Sequence, residues 1–211
     1  MSNEFRKVKF DVAAIINGFD IFYETNELTA LEKEITESFE IHEILEVARK
    51  KLSNEGDFWN EEELKMFFIS VLFMCAELEE KEKIKLFYER TLSTEVDGHK
   101  ISVICDCLLA TSQKVPFPQK PYFFLQEFKK QKNADDAEGQ MLLAMIAAQF
   151  INQDNNEVYG AFVQGKFWNF TVLKERNYSV SRSYDASQKD QLQMIFAILK
   201  NLKRLILANL D

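Results

Sequence analysis

The chain has 211 residues, 46% apolar, 28% charged and 13% aromatic, with 19 Phe against six Gly and three Pro. That length and composition fit one globular domain, or one with an extension, and exclude collagen-like, mucin-like, low-complexity and wholly disordered chains. The net charge of −8 is uneven, with −11 over residues 1–99 and +3 over residues 100–211. This argues against a passive nucleic-acid coat but leaves room for an enzyme whose second half faces phosphates.

Residues 1–58 read as a helical N-terminal extension. Over 27–38, Leu28, Leu31 and Ile35 recur at helical spacing among dense acids, and over 41–52 Ile41, Ile44, Leu45, Ala48 and Leu52 share one face. Asn54-Glu55-Gly56-Asp57 is a turn signal. Asn60 is a good N-cap for a helix running to about Cys75, with Glu61, Glu62 and Glu63 in the first turn, where the dipole favours anions. That helix is apolar almost all round, which predicts a central position. The charged run 77–85 predicts a solvated helix end laced by i,i+4 pairs.

The texture then changes to strands. Residues 86–95 alternate weakly, Asp97-Gly98 suits a hairpin turn, and 99–110 follow with Ile101, Val103, Cys105, Cys107 and Leu109 on one side. Residues 111–120, with two of the three prolines, read as a loop, and 122–129 (YFFLQEFK) as a short buried strand. An amphipathic helix over 135–151 precedes strand-like runs at 158–163, 166–173 and 178–183, with Gln164-Gly165 as a tight turn. A closing helix spans 188–210. The fold class expected is therefore α/β (α+β), helices flanking a mixed central sheet, with a domain over 59–211.

Two histidines, His42 and His99, and three cysteines, Cys75, Cys105 and Cys107, cannot build a zinc finger or a His-rich zinc site at the usual spacings. A disulfide within Cys105-Asp106-Cys107 is implausible, and the sparse, odd count fits a reducing cytoplasm. The start, MSNEFRKVKF, lacks the apolar run of a secretory signal. The longest nearly apolar stretch, 67–76, falls far short of the roughly 20 residues that cross a bilayer. A soluble, cytoplasmic protein without a membrane partner is expected.

Two strands carry an acid in an apolar setting. Asp106 shares a face with Ser102 and Ile104; Glu127 and Lys129 share a face by the two-residue period, while Phe128 points the other way. Asp106, Glu127 and the Phe128 carbonyl offer three oxygens to a hard cation such as magnesium, and the Lys129 ammonium beside them suits orienting water or steadying negative charge at phosphorus. A Glu and a Lys at a strand end are ordinarily where the strand meets water, whereas Asp inside a strand is rarer. His42 and His99 read as surface and turn residues, and Trp59 and Trp168 as core anchors. Lys114, Lys120, Lys129, Lys130 and Lys132 cluster where phosphates could be held.

A helix with an N-terminal acid, a strand with Asp, a strand with Glu-x-Lys and a helix with an early Gln resembles the PD-(D/E)XK nuclease superfamily. NEEELKMFFI at 60–69, PYFFLQEFKK at 121–130, EGQMLLAMIAAQ at 138–149, Tyr159-Gly160 and Gly165-Lys166-Phe167-Trp168 are similar, in order, to the type I restriction-type branch, over roughly 59–205. The resemblance implies a restriction-endonuclease-like sheet and makes Asp106 and Glu127 ligands of Mg2+ or Mn2+, with Lys129 the catalytic lysine. It makes Glu61 the helix acid, with Glu62 and Glu63 as alternatives in a blurred register, and Gln140 the glutamine that positions the site. Cys105 stands where the name motif has Pro. Metal-dependent hydrolysis of DNA phosphodiesters is the activity implied. No P-loop occurs, so any motor belongs to another chain. The alternative is an accessory module in which the same fold binds nucleic acid or protein with little or no activity, the acidic first half meeting a protein partner.

Overall fold

The computed structural model of the chain describes residues 11–25, 31–32, 35, 40–113, 115–129 and 136–210. The described helices are α1 (Val12–Gly18), α2 (Glu43–Glu55), α3 (Glu61–Leu64), α4 (Ser70–Ala76), α5 (Ala137–Asn152) and α6 (Lys189–Ala208), with a π-helical turn, Lys65–Ile69, joining α3 to α4. The strands are β1 (Phe22–Thr25), β2 (Ile84–Val96), β3 (His99–Thr111), β4 (Gln119–Lys129), β5 (Val158–Gln164), β6 (Phe167–Lys174), β7 (Asn177–Val180) and β8 (Tyr184–Asp185).

All eight strands form one mixed sheet in the order β1-β7-β6-β5-β4-β3-β2, with β8 attached to β6. The hairpins β2–β3, β5–β6 and β6–β7 are antiparallel, as is β3–β4. Crossover through α5 makes β5 parallel to β4, and β1 is parallel to β7. The expected turns form at residues that tolerate a left-handed backbone: Asp97 and Gly98 have φ of 49° and 79°, and Gly165 has 61°.

Two cores sandwich the sheet. On one face α2, α4 and α6 bring Leu45, Leu52, Phe73, Phe196 and Leu199 against Trp168, Phe170 and Phe124. On the other, α1 and α5 bring Ile15, Met141 and Met145 against Val103, Phe162 and Tyr178. Trp59 and Trp168 are buried, as the sequence predicts. His42 is exposed at the start of α2, and His99 opens β3 with its ring edge-on to Phe19.

Several expectations need correction. The leading residues are not wholly helical: Phe22–Thr25 is a strand, because the edge of β7 offers unpaired backbone groups that it completes. The expected helix over 27–38 lies largely outside the described residues. The α3–α4 helix is not central, since Met66, Phe67 and Met74 are exposed while Leu64, Phe68, Leu72 and Phe73 face the core. The run 77–85 is not a helix end: Glu77 (φ 51°) stops α4, and the acids reach across to α6, Glu77 to Lys200 at 3.0 Å and Glu80 to Lys203 at 3.1 Å. The strand expected over 178–183 ends at Val180, and the expected loop over 111–120 yields its last two residues to β4. Finally, Cys105 and Cys107 do not share a side. Cys105 belongs to the α5 core and Cys107 to the opposite one, because the strand changes face around Asp106.

Candidate functional site

That change of face builds the site. Tyr88 pairs with Cys107 and Arg90 with Cys105, but Glu89, between them, has φ of 52° and interrupts the ladder opposite Asp106. On the other side β3 pairs with β4 only from Cys107–Gln126 onward. The first half of β3 therefore splays from the end of β4, which continues beside β5 through Lys129–Gln164. The carboxyl ends of the parallel neighbours β4 and β5 lie at this fork, and open α/β sheets bind ligands at such strand ends.

Asp106 and Glu127 come to this fork on neighbouring strands, close enough for the Asp106 charge to act on Glu127. The Phe128 N–H donates to Asp106 Oδ2 at 2.8 Å, so a side chain takes over where the backbone ladder stops. Lys129 Nζ lies 2.6 Å from Glu127 Oε1, the same-face geometry expected of i and i+2 in a strand. The Gly165 N–H donates to the Lys129 carbonyl at 2.9 Å and pins the end of β4 to the β5–β6 turn. Phe128 was expected to contribute its carbonyl; the contact the structure displays is through its N–H, with its ring buried.

The three acids of α3 separate cleanly. Asn60 and Glu63 form a capping box, Asn60 Oδ1 accepting from the Glu63 N–H and Glu63 Oε2 accepting from the Asn60 N–H. Glu62 points to solvent, its side chain 77% exposed, while Glu61, 29% exposed, turns inward. Gln140, in the first turn of α5, donates to the Ile104 carbonyl at 3.2 Å. It grips the strand that carries Asp106, two residues away.

Lys65 was not foreseen. Its ammonium lies 3.0 Å from Asp106 Oδ1 and 3.0 Å from Glu61 Oε1, with Glu89 at 3.4 Å and Glu62 at 3.6 Å. It also stands over the Phe128 ring, 5.7 Å from the centroid. The signal was present, since Lys65 follows Glu61 by one helical turn, but only the fold carries Asp106 to it.

Electrostatics follow from this packing. Burial and the Asp106 charge push the Glu127 carboxyl up to about 8, the Lys129 ammonium offsetting part of that. Burial alone would lower the proton affinity of Lys65, but Asp106 and Glu61 raise it further. Lys129 is raised in the same way by Glu127, against its burial. The Cys105 thiol is pushed up by burial and by Glu127 and Asp106, so no thiolate is available beside the acids. All three cysteines are free and buried.

Among the described residues no three His, Cys, Asp or Glu side chains gather closely enough to hold a metal ion, and Lys65 stands between Glu61 and Asp106. Lys114, Lys130 and Lys132 lie outside the described residues; Lys120 is exposed at the start of β4. No helix among the described residues is long and apolar enough to cross a membrane. No family model matches the chain, and none of the curated proteins compared with it matches in sequence.

Proposed function

We propose that the chain is a metal-dependent phosphodiesterase acting on DNA, a PD-(D/E)XK-type nuclease with a restriction-endonuclease-like core over 59–211, working in a reducing cytoplasm. The observation that carries this reading is that Asp106 is held on the N–H of Phe128, the residue between Glu127 and Lys129, at the fork between β3 and β4. The element order supports it too: a helix with an inward acid, a three-strand antiparallel meander, a helix, and a strand parallel to the third.

In this reading Asp106 and Glu127 are the residues that would hold a hard divalent ion, although no third acid among the described residues joins them closely enough to complete a site. Asp106 and Glu127 are carboxylates with little water around them, and the Phe128 carbonyl is the third oxygen expected from the sequence. Held by these residues, Mg2+ or Mn2+ would supply Lewis-acid polarisation of a phosphoryl oxygen and activation of water. In this reading Lys129 holds its ammonium against charge developing at phosphorus, Glu127 keeps Lys129 oriented, and Glu61 adds a further acid beside Asp106, joined to it through Lys65. Gln140 acts on the site through the backbone of β3, and so is a positioning residue.

The test is cleavage of plasmid and single-stranded DNA with Mg2+ or Mn2+, against EDTA and Glu127→Ala. Metal-dependent cutting lost in the variant is expected. Lys129→Met, which keeps the aliphatic stem, should lower the rate about a hundredfold or more while the melting temperature stays close to wild type. Full activity in that variant would remove Lys129 from the mechanism.

A second reading, the same fold used to bind nucleic acid or a protein partner without cleavage, is favoured by one observation. Both acids of the fork already have ammonium partners, Lys65 on Asp106 and Lys129 on Glu127. A folded wild type that binds DNA but does not cut it with either metal selects this reading.

A further inference from the structure

We propose that the outer face of the α2–α4 helical hairpin is a docking surface for a basic, amphipathic helix of a protein partner. The inference is independent of whether the fork cleaves DNA, and its failure would leave the reading of the fork untouched.

Single exposed apolar side chains are ordinary on a protein surface, whereas a contiguous patch of them marks a place that meets something else. Half of the large apolar side chains exposed among the described residues fall in one short stretch, 44–74. Four of them border the same channel. Ile44 (52% exposed) and Val47 (66%) stand on α2, Phe67 (39%) on the π-helical turn and Met74 (60%) on α4.

Their shared side follows from helical geometry. Only the short turn around Gly56–Phe58, with Trp59 and Asn60, joins α2 to α3, and so brief a connection makes the two helices antiparallel neighbours. Accordingly α2 packs along both the π turn and α4. Lys51 Nζ lies 3.6 Å from the centroid of the Phe67 ring, which fixes the levels that face each other. Ile44 precedes Lys51 by as many residues as Met74 follows Phe67, so those two meet at one level about 10 Å away, two helical turns on. Val47 and the partly buried Val71 occupy the level between. Leu45, Ala48 and Leu52, on the other side of α2, go to the core, so this row is not used by the fold itself. The result is a shallow apolar channel between two helices, the shape that receives the apolar stripe of a third.

Charge selects the occupant. Along the rims the acids Glu43, Glu55, Glu62 and Glu77 outnumber the bases Lys50 and Lys51, and the Lys51 ammonium already rests on Phe67. A second copy of the chain would therefore bring like charges together at the ends of the channel. A helix with Lys or Arg flanking an apolar stripe meets counter-charges there instead. Met and Phe on the face suit such a contact, because both give large apolar area and Met adapts its shape to the partner.

Fluorescence anisotropy with a labelled synthetic peptide tests it. The probe has about 14 residues, with Leu at i, i+3, i+4 and i+7 and Lys elsewhere, and is titrated with the full chain. Wild type should bind it, more weakly as NaCl is raised, and about tenfold or more tightly than the same residues in scrambled order or a Leu/Glu peptide of the same pattern. Val47→Ser combined with Met74→Ser should weaken binding about tenfold or more. Phe117→Ser, which removes exposed apolar surface outside the hairpin, should leave it unchanged. No binding, equal binding of the ordered and scrambled Leu/Lys peptides, or undiminished binding by the folded double variant overturns the proposal. Light scattering supplies a further check. A dimeric wild type that becomes monomeric in the double variant would give this face to a second copy and overturn the proposal as well.

Discussion

Glu127 is 1% exposed and faces Asp106 across the fork, so its ionisation is opposed by lost hydration first and by a second negative charge next. With the folded value near 8 and the unfolded value near 4.5, the stability tied to its protonated form is complete below pH 4.5 and lost as pH rises through 8. Melting in EDTA from pH 5 to 9 should therefore show wild type losing stability relative to Glu127→Gln, by up to about 1.4 kcal/mol per pH step in that window. Parallel curves for the two proteins would mean that Glu127 ionises normally in the fold. The pairing of Glu127 with Lys129 was legible in the sequence, since two residues along a strand share a face. The role of Lys65 was not, because its partner lies 41 positions away, on a strand whose face changes at that point.

At the scale of elements, β5 packs under α5 at Gly160 with no room for a side chain. A Cβ at Gly160 would stand 2.6 Å from Thr171 Oγ1, 2.8 Å from Met145 Sδ and 3.0 Å from Met141 Sδ. The methionines can yield, but Thr171 is fully buried on the neighbouring strand. Gly160→Ala should then cost about 1–3 kcal/mol in urea unfolding, and a neutral result would show that Thr171 can turn aside at no cost. The α3 cap is a smaller and more local feature: Asn60→Ala, which leaves the Glu63 N–H without its partner, should lower stability by about 1 kcal/mol. No change in the urea midpoint would mean that water replaces the cap.

For the molecule as a whole, the leading residues are part of the sheet rather than an appendage. The strand β1 pairs with β7 over four residues, the Val12 N–H donates to the N-cap residue of α5, Asp136, and Tyr23 Oη donates to Glu138 at 2.9 Å. Removing residues 1–25 should expose the edge of β7, lower the melting temperature by several degrees and promote association, read by calorimetry and size-exclusion chromatography. An equally stable, monomeric truncation would show that the sheet closes without β1. The chain alone determined the order and type of the elements over 84–208 apart from the short β8, the Asp97-Gly98 and Gln164-Gly165 turns, the burial of both tryptophans and the Glu127–Lys129 face, because those follow from short-range period and turn chemistry. Tertiary structure alone decided the rest. It made Phe22–Thr25 an edge strand, assigned Glu63 to the cap and Glu61 to Lys65, sent the acids at 77 and 80 to α6, and turned β3 over at Asp106 so that Lys65 reached it. Those outcomes depend on which distant segment supplies a hydrogen-bonding edge or a counter-charge, and local periodicity carries no record of that.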